Sequence, residues 1–207
     1  MIQILNLHKG AVYRIIELSN NNLVSCSKDS TIIFYTQDGL QYNKEYSITA
    51  SEGIINIIQT KQNEIVYSTN NKKIHFFDFN ERNEISILEN ISCDIFGFRG
   101  CFCMITNDLL LIPGENMINI INVNEYQKIN EIYIPDLGRI YGISMLNSNM
   151  LITSENGKRL RQWKIEENNL ILISKKENAH NDEINVILNL KNGHIVTGCW
   201  DGIIKIW

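Results

Sequence analysis

Apolar positions along this chain come in short clusters, not in long amphipathic faces. The first four are Ile2–Leu7, Val12–Leu18, Leu23–Ser27 and Thr31–Thr36, set apart by Asn, Asp, Gly and Lys. β-Branched and aromatic residues dominate them, and no stretch sustains a 3.6-residue apolar period over about ten residues. The pattern predicts short strands joined by turns. It also returns. With residues 23–35 as a template, residues 65–77, 109–121, 151–163 and 195–207 align without a gap, each opening on an apolar pair. The closing residues Tyr35, Phe77, Ile121, Trp163 and Trp207 are separated by 42, 44, 42 and 44 positions. Upstream, Val12, Ile54, Phe98, Ile140 and Ile184 share one apolar position, and Ile15, Ile57, Cys101, Ile143 and Ile187 share another.

Each repeat reads as a four-stranded antiparallel meander. A lone meander cannot bury both faces of its sheet, whereas sheets stacked radially do so. Runs such as Ile118-Asn119-Ile120-Ile121 alternate poorly, as expected of strands covered on both sides. The expectation is an all-β propeller of five blades in a single domain, 1–207. Its repeats run approximately 1–36, 37–78, 79–122, 123–164 and 165–207. The two longer repeats take their extra residues between Phe77 and Asp94 and between Trp163 and His180. Both are connections, where added length costs little.

The last repeat contains His180 and then Thr197-Gly198-Cys199-Trp200-Asp201-Gly202-Ile203-Ile204-Lys205-Ile206-Trp207. The first repeats the spacing with His8, Ser25, Asp29 and Tyr35: His to Asp is 21 positions in both, and Asp to the closing aromatic is 6. On these residues the chain resembles the WD40-repeat β-propeller family. The resemblance implies a buried hydrogen-bonded tetrad in each repeat, carried here by His8, Ser25, Asp29 and Tyr35 and by His180, Thr197, Asp201 and Trp207. An indole, a hydroxyl and an imidazole buried together each need a partner, and a chain of bonds satisfies all of them. The middle repeats depart from this set, with Ala50, Tyr67, Asn71 and Phe77, then Asp94, Leu111, Glu115 and Ile121, then Asp136, Thr153, Gly157 and Trp163. They are expected to rely on apolar packing.

The family usually builds seven blades, so closure of five is a question the ends address. Ile2–Leu7 reads as an outer strand with no companions before it, and Trp207 ends a third strand with no fourth after it. Pairing of this N-terminal strand with the last blade is the expected closure. The alternative is an open fragment of a seven-bladed propeller.

Composition narrows function mainly by exclusion. Lys plus Arg number 19 against 23 Asp plus Glu, and this mixed, weakly acidic balance gives no electrostatic footprint for nucleic acid. No apolar run approaches the ~20 residues of a membrane span. The N-terminus has no basic leader and no small-residue cleavage site, so no signal peptide is expected. Five irregularly spaced cysteines suit reduced thiols, and a cytoplasmic setting, with the nucleus open, is the expectation.

Catalytic readings fail on their own chemistry. His, Ser and Asp coincide in the first repeat, but they recur in register with a repeat, and no Gly-x-Ser-x-Gly turn presents a nucleophile. Cys101 and Cys103 share a strand face without a second cysteine pair or a nearby histidine, which does not make a zinc site. No catalytic residue, cofactor, metal or small-molecule substrate is expected. What remains is protein or peptide binding. The resemblance implies that partners dock on the face built from d–a and b–c loops, where Trp200, Lys28, Arg139, Asn156, Lys158 and Asn181 are the candidate contacts. The expected function is a non-catalytic platform that scaffolds or recruits partners. The alternative is a specific peptide reader or substrate receptor, favoured for acidic or phosphorylated peptides by Lys158, Arg159 and Arg161.

Overall fold

The computed structural model of the chain describes residues 2–93, 102–155 and 158–207, and every described regular element is a β-strand. The calls that fall on Asp94, Phe98, Cys101, Asn156 and Gly157 lie outside the described residues. Two compact units divide the chain, Met1–Ile91 and Ser92–Trp207.

The first unit holds two sheets. Strands β1 (Val12–Glu17), β2 (Leu23–Ser27), β3 (Thr31–Asp38) and β4 (Gln41–Thr49) pair in that order. Strands β5 (Ile54–Lys61), β6 (Glu64–Thr69), β7 (Ile74–Asp78) and β8 (Asn83–Leu88) do the same. The second unit holds three. β9 (Cys103–Met104), β10 (Leu109–Gly114), β11 (Met117–Asn122) and β12 (Gln127–Tyr133) form one sheet, and β13 (Ile140–Asn147), β14 (Met150–Glu155), β15 (Arg159–Glu166) and β16 (Asn169–Lys176) the next. The last contains β17 (Ile184–Asn189), β18 (Ile195–Cys199) and β19 (Ile204–Ile206). All ladders are antiparallel. The fold is all-β, with five blades of a β-propeller.

The sheets are offset by one strand from the sequence repeats. Each repeat was read from its outer strand inward, but the tight turn at Gly39-Leu40, with Gly39 at φ 61°, folds β4 back onto β3 so that Asp38 faces Gln41. Strands joined by so short a turn pair with each other. The expected N-terminal strand is therefore a correction: residues 2–7 belong to no strand. The Gln3 side chain instead bonds the Tyr42 backbone, donating to its carbonyl at 2.6 Å and accepting from its amide at 2.8 Å. The last sheet accordingly has three strands, and the expected pairing of the N-terminal segment with it is not formed.

Within each unit, blades meet by one rule. Val24, Ile32 and Phe34 on one face of the first blade pack against Ile54, Ile57, Ile65 and Phe77 on the facing side of the second. Ile118 and Ile120 meet Ile140, Leu151 and Trp163, and Ile152 and Leu160 meet Ile184 and Ile187. Residues two apart on a strand share a face, so a fixed set of repeat positions looks forward and another looks back. The β2–β3 turn and its four counterparts share a backbone feature as well. Ser30, Lys72, Asn116, Lys158 and Gly202 occupy one repeat position, and all five have φ between 56° and 79°.

Candidate functional site

The fifth blade places four side chains in one hydrogen-bonded chain. The Trp207 indole donates to Thr197 Oγ1 at 2.9 Å, and Thr197 Oγ1 lies 2.7 Å from His180 Nε2. The Asp201 carboxylate can only accept, so in the neutral imidazole Nε2 is the acceptor and the Thr197 hydroxyl donates to it. The imidazole proton then sits on Nδ1 and faces Asp201 Oδ2 at 3.2 Å. Asp201 also accepts from the amides of Asn181 and Ile203, each at 2.9 Å. Its burial works against ionisation, but these donors together with His180 outweigh it and hold the carboxyl well below the usual range.

The first blade builds the same chain with other residues. His8 Nε2 is 2.7 Å from Ser25 Oγ, which is 3.0 Å from the Tyr35 hydroxyl. On its other side, His8 Nδ1 is 2.9 Å from Thr31 Oγ1 and 3.3 Å from Asp29 Oδ2. Thr31 donates to Asp29 Oδ1 at 2.5 Å, and the Lys9 amide donates to Oδ2 at 2.6 Å. Thr31 is thus a fifth member that the repeat spacing alone did not single out. As at Asp201, burial opposes and hydrogen bonds from Thr31 and Lys9 prevail, lowering the Asp29 pKa.

The fourth blade keeps half of the arrangement and rebuilds the rest. The Trp163 indole donates to Thr153 at 2.9 Å, and Thr153 donates to Glu155 at 3.2 Å. Glu155 is wholly buried, with Arg161 Nε at 3.3 Å and Arg159 Nε at 3.6 Å. Asp136, in the place of the histidine, binds Arg159 at 2.7 Å and Lys175 at 3.4 Å, and its carbonyl accepts from Arg161 at 2.8 Å. Burial pushes the Glu155 carboxyl up to about 7 against the pull of both arginines. Arg159 and Arg161 alternate on β15, so both side chains reach the same face of the strand, where Glu155 lies, an arrangement the repeat spacing did not single out.

The second blade threads polar groups through a different histidine. Thr69 donates to Asn71 at 2.6 Å and lies 3.4 Å from His75 Nε2, while His75 Nδ1 is 2.6 Å from Glu84. His75 also stacks on Tyr67 at 4.6 Å between ring centroids. The carboxylate–histidine–hydroxyl order ends on Thr69, which is wholly buried. In the third blade Leu111 and Ile121 replace the polar pair, and buried Asn119 donates to the carbonyls of Ser92 and Ile112 at 2.7 and 3.2 Å.

Around the last tetrad the loop residues form a connected patch. The Trp200 amide donates to the Glu183 carbonyl at 3.1 Å, and the Tyr141 hydroxyl donates to the Glu183 carboxylate at 3.1 Å. Lys158 Nζ bonds the Asn181 carbonyl. Trp200 is 62% exposed and Asn181 is exposed, while Lys158 and Arg139 are half-buried. Lys28 lies in the other unit, exposed, its amide donating to the Ala11 carbonyl at 2.9 Å. The basic run is not a bare cationic surface, because Arg159, Arg161 and Lys175 are matched by Asp136, Glu155 and Glu177.

Among the described residues His180, Cys199 and Asp201 bring potential metal ligands within 4.8 Å of one another. Those atoms already serve the turn. The Asp201 amide donates to Cys199 Sγ at 3.4 Å, as the Asp29 amide donates to Ser27 Oγ at 3.1 Å in the first blade. Burial raises the Cys199 pKa, and it pushes the Cys26 thiol up to about 12, away from the thiolate a metal needs.

The blades and the tetrads repeat one arrangement, and the fifth blade carries it with His180, Thr197, Asp201 and Trp207. Residues 173–207 match the family model described as WD domain, G-beta repeat. No curated protein matches the chain. Among solved structures, a chain of the "Crystal Structure of Mitotic Checkpoint Complex" is similar with a TM-score of 0.74 at 13% identity, over 90% of this chain and 58% of that one. At that identity the likeness is one of fold, and this chain spans 58% of the length of the solved chain. Residues 173–207 are similar to a WD40 repeat, and the described sheets are blades of a β-propeller. Propellers of this family serve in general as protein-interaction platforms and are in general not catalytic.

Proposed function

We propose that this chain is a non-catalytic recruitment platform whose partners dock on the loop face of the fourth and fifth blades, around Trp200. The observation that supports this reading is the exposed indole on a turn that is itself held fast. Trp200 is 62% exposed, yet its own amide bonds Glu183 and its neighbour Asp201 is tied to His180, Asn181 and Ile203. A rigidly mounted aromatic loses little entropy when a partner covers it, which is the behaviour of an interface anchor. Arg139, Lys158 and Asn181 supply polar rim chemistry on the same unit. Selective recognition of acidic or phosphorylated peptides is the finer alternative. It draws less support, because the basic run is internally neutralised by Asp136, Glu155 and Glu177.

The test is a peptide-array screen with the wild-type chain, repeated with Trp200→Ala and Arg139→Ala. Retained peptides are expected to weaken by roughly 2 kcal/mol or more, the usual size of a hot-spot truncation, with the circular dichroism of the fold unchanged. Wild-type binding by both variants places the contact elsewhere and overturns the reading. Selection of a narrow acidic or phosphorylated set would favour the reader over the general platform.

A further inference from the structure

One repeat position points inward in the fifth blade and outward in the fourth. His180 is 1% exposed, whereas the side chain of Asp136, its counterpart, is 68% exposed. The Asp136 carboxylate rests on three cations: Oδ2 lies 2.7 Å from Arg159 Nη1, 3.5 Å from Arg161 Nη2 and 3.4 Å from Lys175 Nζ. The arginines are the buried partners, with side chains 12 and 3% exposed at Arg159 and Arg161. An ordinary surface ion pair joins two long, solvated side chains. Here fixed guanidinium groups reach solvent beneath a single exposed carboxylate.

The arginines do not need that carboxylate to hold their place. Nη2 of each donates to the Asp136 backbone carbonyl at 2.8 Å, and their Nε atoms lie 3.6 and 3.3 Å from buried Glu155. A backbone tether recurs at the repeat position of Arg161: Asn119 donates to the Ser92 carbonyl at 2.7 Å, and Lys205 to the Ala179 carbonyl at 2.6 Å. The carboxylate contact is what the fourth blade adds. We infer that Arg159, Arg161 and Lys175 form an anion site for a phosphate monoester on a partner peptide, with the Asp136 carboxylate as its built-in, displaceable occupant. This deepens the finer alternative above and rests on the loop face being a docking surface. Internal neutralisation argues against an open site, not against a gated one. With the Asp136 carboxylate withdrawn, the three cations face two carboxylates, Glu155 and Glu177, and the site is left net positive. The ligand class follows from competition. A partner's carboxylate only matches Asp136, which is tethered at high effective concentration. A phosphate monoester brings about −1.5 to −2 charge at pH 7 and three acceptor oxygens, one for each cation that now shares Oδ2.

The probes are N-acetyl-O-phosphoserine N-methylamide and inorganic phosphate, each titrated into the nitrogen-15-labelled chain and followed by amide chemical shifts at fixed salt. Asp136→Asn is expected to bind the phosphoserine probe at least tenfold more tightly than the wild type. Adding Lys175→Gln should remove most of that gain. A purely structural ion pair would give no gain at all. Affinity unchanged in Asp136→Asn, or a gain that Lys175→Gln leaves intact, overturns the inference. Inorganic phosphate bound as tightly as the phosphoserine probe overturns the peptide occupant and assigns the site to the free ion. Should Asp136→Asn fail to fold, Asp136→Gly takes its place with the same outcomes, since glycine suits the φ of 65° found there and keeps the carbonyl. The two readings fail separately: wild-type array binding by Trp200→Ala leaves this titration untouched, and a failed titration leaves binding around Trp200 as it stands.

Discussion

Trp163 and Trp207 make the same bond, each indole donating at 2.9 Å to a threonine hydroxyl ten residues earlier. Beyond that hydroxyl the two blades part. Thr197 continues to His180 and Asp201, and Thr153 continues to a buried Glu155 flanked by two arginines. The shared bond fixes the core of the blade, and the rest is satisfied by whichever polar groups the sequence supplies.

That division makes Asp201 a stability residue. Asp201→Ala removes the acceptor for His180 and for the amides of Asn181 and Ile203, leaving donors without partners. A loss on the order of 1–3 kcal/mol is expected in urea denaturation. Glu115→Ala, at the corresponding position of the apolar third blade, should cost much less. Equal shifts would remove the basis for the tetrad's role.

Glu155 and the two turn aspartates give opposite pH dependences. Burial raises the folded Glu155 pKa to about 7 from the ordinary glutamate value of 4.5, so between those values the folded state binds the extra proton. Stability from this group is therefore present at the acid end of that window and falls as pH rises through it, by an amount on the order of 1–3 kcal/mol. Asp29 and Asp201 have lowered pKa values, so their contribution is complete above the ordinary carboxylate range and is lost as pH falls below it. Glu155→Gln is expected to flatten the decline toward pH 7 and to leave the acid limb in place. An unchanged slope between pH 4.5 and 7 in the variant would show that Glu155 is not its source.

Lys72 should be improvable. Its φ of 62° is the left-handed conformation shared by all five of these turns, and only the fifth turn places glycine there, at Gly202. Lys72 is exposed. Lys72→Gly is expected to raise the thermal midpoint through a gain of several tenths to ~1 kcal/mol, since glycine adopts this conformation without a Cβ penalty. A lowered midpoint would mean that the aliphatic stem or charge of Lys72 contributes more than the strain.

Gly114 should tolerate nothing larger. A Cβ there would run into the backbone carbonyl of Ser92, and that carbonyl also accepts from buried Asn119. Gly114→Ala is expected to cost about 1–3 kcal/mol by overpacking, read by the same denaturation. A neutral effect would mean the Ser92 segment moves freely enough to give way.

The sequence carried the period because strand registers recur: the apolar pairs at Leu23, Ile65, Leu109, Leu151 and Ile195 mark the blades directly. It carried less about which strands share a sheet, since the tight turn at Gly39 and the hydrogen bonds from Gln3 to Tyr42 decide that locally. Repeat spacing brought His8 and Asp29, and His180 and Asp201, into view. The Arg161–Glu155 and His75–Glu84 pairs did not stand out, because charged residues in a strand read equally well as solvated. The family model matches where residue identities are most complete, in residues 173–207, and the other blades keep the geometry with different chemistry.

The fifth blade joins the smallest of the described sheets to a complete hydrogen-bonded chain, three strands around His180, Thr197, Asp201 and Trp207. Among the described residues, strand β19 pairs with β18 on one side, where β3, β7, β11 and β15 each pair on two. Amide exchange at Ile204 and Ile206 should be the fastest of any third strand, and the side-chain bond from Trp207 to Thr197 is the latch that limits how far that end opens.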